Sequence, residues 1–173
     1  MAAPEWNILN RTKLILKDMA ATKQFVASQG EVVRSVPPEA VRVWKAVEQG
    51  RGANGIEHIA LPAIRVTSLP VESTIGAGLN CADDEVVRIA IQILDMSNYD
   101  SSGPLQTYMD WMDLIRTEVL AIPNPFLQDA DVEVYDPYVV HIVKRLSAEA
   151  QSLIRHEQQV ALFTFQVMVR HHR

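Results

Sequence analysis

The chain has 173 residues, a net charge of −5 and a single cysteine. Its 48% apolar and 21% charged residues make an ordinary globular composition, which excludes a disordered or repeat-polymer chain. One core of this size buries roughly 70% of the surface its unfolded chain exposes, and Cys81 alone excludes both an internal disulfide and a one-chain thiolate metal cage.

Met1 to Lys17 mixes Glu5, Asn7, Asn10, Arg11 and Lys13 among its apolar positions, which is not the pattern of a secretory signal. The longest apolar runs, such as Val160–Phe163, fall far short of the ~20 residues a helical membrane span needs. The expectation is a soluble, intracellular protein, cytoplasmic by default, with no membrane insertion. Charge is unevenly spread: residues 1–65 carry nine Lys/Arg against six Asp/Glu, residues 66–136 two against thirteen, and residues 137–173 five against two. Each run reads as a solvated face, or as an acidic middle that meets basic ends across subunits.

Pro4 to Gln29 reads as a first helix, because Ile8, Thr12, Ile15, Met19, Thr22 and Val26 recur at steps of three and four, widened by Leu9, Leu16 and Phe25. Gly30 is its expected stop. Pro37-Pro38-Glu39 opens a second helix to about Gln49, and the glycines at 50, 52 and 55 predict a loop. Residues 56–75, with prolines at 62 and 70, read as extended. Residues 86–96 are apolar on nearly every side and read as a helix buried all round.

Ser102 and Pro104 cap a helix to about Ala121, with Leu105, Tyr108, Met109, Met112, Ile115 and Val119 facing inward. Pro123-Asn124-Pro125 breaks it. Asp136-Pro137 opens a long helical stretch toward His172, although Val160 to Val169 is rich in β-branched and aromatic residues and competes as a strand or swapped arm. The whole is expected to be mainly α: one domain of about five helices over residues 1–173, a short extended region around 56–75, and a C-terminal arm at 136–173 that protrudes or swaps.

Chemistry-bearing patterns are sparse. His58, His141 and His156 lie far apart and His171-His172 closes the chain, so no i, i+4 zinc pair forms. The acidic run Asp129 to Asp136 resembles a calcium loop but has Val134 where the turn glycine belongs. Neither a nucleophile elbow nor a phosphate-binding glycine loop occurs, and Cys81 beside Asp83-Asp84-Glu85 reads as an unreactive thiol. Asp110 and Asp113 lie one turn apart, as exposed helix residues or as a general acid and base pair. No catalytic, metal or cofactor residue is assigned. The enzyme reading is left open, leaning against.

The segment Leu61-Pro62 through Gly76-Ala77-Gly78-Leu79-Asn80 into Asp84-Glu85-Val86-Val87 resembles the helical base region of the shell proteins of some double-stranded RNA viruses. The likeness covers residues 61–87 only and carries no site residue; the β-sandwich such proteins also have finds no room here. It implies a structural unit of a particle. The leading expectation is therefore a non-enzymatic, self-associating or partner-binding protein, a homo-oligomer or one bound to another protein, with Val160, Phe163 and Val167 at the interface. The first alternative is nucleic-acid binding through Arg11, Lys13, Lys17 and Arg51. The second is a small-molecule binder or enzyme with a pocket between helices.

Overall fold

The computed structural model describes residues 4–29, 32–43, 61–74, 82–95, 102–127, 137–146 and 158–172. Within them are two helices and seven strands: α1 (Pro4–Ala21), β1 (Val26–Gln29), β2 (Val32–Ser35), β3 (Val41–Val43), β4 (Ala63–Thr74), β5 (Ala82–Asp95), α2 (Ser102–Val119), β6 (Tyr138–Leu146) and β7 (Gln158–His172). The expectation of a mainly α chain of five helices is overturned. The described chain is mostly β, and the "helical" description of it falls with that expectation.

Two antiparallel strands, β1 and β2, form a small hairpin, while the main sheet runs β3-β4-β5-β7-β6. β3 lies parallel to β4 and every other neighbour is antiparallel. Both helices pack on one face of this sheet, α1 toward β3 and β4, α2 toward β6 and β7. The core sits between the layers. Val66, Ile89, Ile91, Ile93, Phe163 and Phe165 face the helices there, each at most 1% exposed.

Residues 86–96 are the decisive departure. Val87, Ile89, Ile91 and Ile93 alternate along β5 and are fully buried, a period of two that belongs to a strand. Val86, Ala90 and Leu94 fill intervening positions and disguise that period as an all-round apolar helix. β5 is an interior strand, hydrogen-bonded on both sides, so such a near-continuous apolar run is what it requires. The same correction applies to residues 61–87. Where the viral likeness calls for a helix at Asp84 to Val87, those residues pair with β4 and β7 as strand.

The C-terminal segment departs in the same way. Tyr138–Leu146 and Gln158–His172 are antiparallel strands, and β7 lies between β5 and β6. Val139, Val140, Ile142 and Val143 are β-branched, and such side chains pack well on a pleated surface. For residues 160–169 the strand reading is the one observed. Pro38 does open a turn, but a 3-10 turn of three residues, because Val41-Arg42-Val43 leaves it to pair with β4.

The first helix is shorter than its apolar spacing suggests. Lys23 adopts a left-handed conformation at φ 57°, the Gln24 N–H bonds the Met19 carbonyl at 2.9 Å and the Lys23 N–H bonds the Ala20 carbonyl at 3.0 Å. This is the Schellman stop, made here by a lysine rather than by the glycine at position 30. The chain then turns into β1, where Phe25 is fully buried and packs edge-on against Trp111 of α2, ring centres 5.5 Å apart. The helix expected from Ser102 is present, and Tyr108, Met112, Ile115 and Val119 are buried as read. Met109 is instead half exposed, and Trp111 takes the inward place. Expected features at Trp44–Gly55, Cys81 and Asp129–Asp136 lie outside the described residues.

Candidate functional site

The residues singled out in sequence do not converge. Arg11, on α1, is half-buried and its Nε donates to the Pro125 carbonyl at 2.8 Å, which ties the helix to the turn after α2. Lys13 and Lys17 are half-buried on the same helix, and Arg51 lies outside the described residues. Phe163 and Val167 sit on the helix-facing side of β7 and Val160 at a bulge in it, all at 0–1% exposure and covered by this chain's own core. Asp110 and Asp113 are exposed on α2, where Asp113 pairs with Lys144 of β6 rather than with its neighbour. Among the described residues no group of three His, Cys, Asp or Glu side chains is placed to hold a metal. None of the described helices is long and apolar enough to cross a membrane.

Sequence reasoning missed one buried polar cluster. Asp95, at the end of β5, is fully buried, and its two oxygens accept from Arg34 of β2 at 2.8 and 3.1 Å. The Tyr108 hydroxyl of α2 donates to the same carboxylate at 2.6 Å. A buried carboxylate is tolerable only when its lone pairs are met, and here a two-pronged guanidinium and a phenol meet them. Hairpin, sheet and helix are thereby fixed to one another. Trp111 adds a second tie, its indole N–H donating to the Val26 carbonyl at 3.3 Å. Three saturated groups packed against the core form a clamp, and the arrangement leaves no reacting atom presented to a substrate.

A shallow open groove of about 460 Å³ runs between α1 and the segment after α2. Leu14, Ile15 and Ile122 supply apolar lining and Asp18 and Glu118 line it as well. No nucleophile, base and orienting group meet there in the manner acid–base or covalent chemistry requires.

The other candidate is the flank of the sheet formed by β6. Tyr138, Val140 and Val143 are 42–44% exposed, although the strand is nine residues long and its neighbour β7 is wholly interior. Val140 is the extra residue of a bulge between the Val139–Val167 and His141–Gln166 pairs. Beyond the bulge, cross-strand register puts His141, Val143 and Arg145 on the face away from the helices, beside Gln166, Thr164 and Leu162. The rows continue inward: His141 lies in line with Gln166 and Arg88, and Arg145 with Leu162, Gln92 and Arg65. Ile142 and Lys144 stand on the helix side, and the Lys144 ammonium is paired with Asp113.

The fold and these sites define an α+β protein of two layers with a saturated interior clamp and one apolar, basic sheet flank. No family model and no curated protein matches the chain, so its function is argued from its own residues.

Proposed function

We propose that the protein works without catalysis, as a unit that binds another polypeptide, a second copy included, through the β6 flank of its sheet. The observation that carries the reading is the exposure of Tyr138, Val140 and Val143 on a strand whose outer edge has no partner among the described residues. An edge strand offers a row of backbone donors and acceptors, and apolar side chains left in water beside it gain free energy when covered. At ~25 cal/mol per Å², covering even 100 Å² of that apolar surface contributes about 2.5 kcal/mol before association costs.

The alternatives have less support. The α1 basic residues expected to bind nucleic acid include Arg11, whose Nε is committed to the Pro125 carbonyl and which shares its groove with Asp18 and Glu118. The groove between α1 and the α2 end is open and lined by Arg11, Asp18 and Glu118 with little apolar surface, whereas a specific small-molecule site is enclosed and mostly apolar. A photoreactive phenylalanine analogue in place of Val143, introduced in the cell that makes the protein, should give a discrete protein adduct on irradiation. The same group in place of Glu39, exposed next to the opposite sheet edge, should give none. Absence of an adduct from both Val143 and Tyr138 positions would sink the reading.

A further inference from the structure

Resting on that reading, we infer that the β6 flank docks an extended acidic segment of a different polypeptide, which adds a strand to the sheet. The strand Tyr138–Leu146 carries His141, Lys144 and Arg145 and no acidic residue. Lys144 is already balanced by Asp113 on the helix side. Among the described residues, the basic side chains of β6 that no carboxylate meets are His141 and Arg145, on the outer face with exposed Val143 between them.

A strand laid alongside β6 continues the same cross-strand rows, and its side chains stand next to those of β6 on each face. Beside Arg145 and beside His141 an acidic side chain is favoured; beside Val143 on the outer face and Ile142 on the inner face, an apolar one. The partner pattern is acid, any residue, apolar, apolar, acid, with the two acids four residues apart. Read from the position beside Arg145 to that beside His141, this is the N-to-C order of a strand antiparallel to β6, and a parallel strand needs the reverse order. Main-chain bonds supply attraction common to any strand, and the alternating side chains supply the choice, as in other cases of strand addition.

Charge also decides against a second copy as the occupant. Among the described residues the unpaired strand edges are those of β1, β2, β3, β6 and the part of β4 beyond β3, and the one acid they hold is Glu72, with no second acid four residues away. The acidic strand residues Asp83, Asp84 and Glu85 belong to β5, which is paired on both sides. Two β6 edges brought together offer each other basic residues and no carboxylate, and the Val140 bulge interrupts the flat register such pairing needs.

The test uses the full chain and two labelled eight-residue peptides: one carries Glu at positions two and six with Val at four and five among threonines, and the other has Lys for Glu. Fluorescence anisotropy should show saturable binding of the acidic peptide and none of the basic one. Arg145→Glu should weaken the acidic peptide roughly tenfold or more, Arg145→Lys much less, and high salt should weaken wild-type binding. Hydrogen exchange should show new protection confined to residues 138–146, while far-UV circular dichroism of the variants stays unchanged. Equal binding of the two peptides, binding of neither, or indifference to Arg145→Glu overturns the proposal. So does wild-type self-association that Val143→Asp dissolves, since the occupant is then a second copy. If the peptides fail while the Val143 cross-link persists, binding at this flank stands and the acidic strand alone is refuted.

Discussion

β6 and β7 are hydrogen-bonded neighbours of similar composition, yet they have opposite fates. Along β7, Ala161, Phe163, Phe165, Val167 and Val169 alternate toward the helices and are buried almost completely. Along β6, no apolar residue reaches that degree of burial, and Tyr138, Val140 and Val143 stay more than two-fifths exposed. Position in the sheet is the cause. Both strands lie under α2, but β7 has a strand on each side, while among the described residues β6 has a strand on one side only. The same β-branched residues thus stabilise the core in one strand and form a contact surface in the next.

The strongest way to break this contrast is to remove β7. Deleting residues 157–173 should abolish cooperative unfolding altogether, because β5 loses one of its two partners and β6 loses its own; thermal scans by circular dichroism read this directly. A deletion variant that keeps a sharp transition would mean that β7 is peripheral. Point changes should reproduce the contrast on a smaller scale. Phe163→Ala should cost about 3–5 kcal/mol in urea unfolding, and Val143→Ala no more than about 0.5 kcal/mol. Comparable losses at the two sites would remove the distinction between interior and flank.

The Asp95 clamp ties the interior side of this comparison to the hairpin. Asp95→Ala leaves the Arg34 guanidinium and the Tyr108 hydroxyl facing each other without their acceptor, and should destabilise by about 2–4 kcal/mol. Tyr108→Phe removes one donor and should cost less, about 1–2 kcal/mol. If Asp95→Ala unfolds the chain no earlier than Tyr108→Phe does, the three groups do not act as one unit. The smallest expected effect lies at the helix end. Lys23→Gly relieves a left-handed lysine and should gain up to about 1 kcal/mol, seen as a higher urea midpoint at unchanged slope.

The α2 helix was legible in the sequence because its signals were local: Ser102 and Pro104 at the start, a 3.6-residue stripe, and prolines after it. The α1 start was legible for the same reason, but its stop was not, since nothing in the Lys23 side chain announces positive φ and Gly30 offered a more conventional end. The sheet was misread wherever both faces of a strand are covered. A strand buried on two sides loses its alternation and gives an apolar run that spacing alone cannot tell from a buried helix. The richness of Val160 to Val169 in β-branched and aromatic residues was the usable clue, and it applied equally to Val139–Val143 and Val86–Ile93.

The candidate site was less legible still. Arg11, Lys13, Lys17 and Arg51 were chosen from charge along the chain, and Val160, Phe163 and Val167 from apolar excess, whereas an interaction surface depends on what neighbours leave uncovered. Asp95 looked like one acidic residue among thirteen in the middle of the chain. Only folding brings Arg34, 61 positions earlier, and Tyr108 to its oxygens.

By itself the sequence determined the globular composition, the absence of an internal disulfide, the α2 helix and the extended character of residues 63–74, because each follows from residue type or local spacing. Tertiary structure decided that Val87–Ile93 and Val160–Val169 are strands, that β7 is interior and β6 lies at the margin, and that Asp95 is clamped. Those outcomes depend on pairing between residues far apart in the chain, where hydrogen bonds and burial outweigh local preference and leave no mark within a short window of sequence.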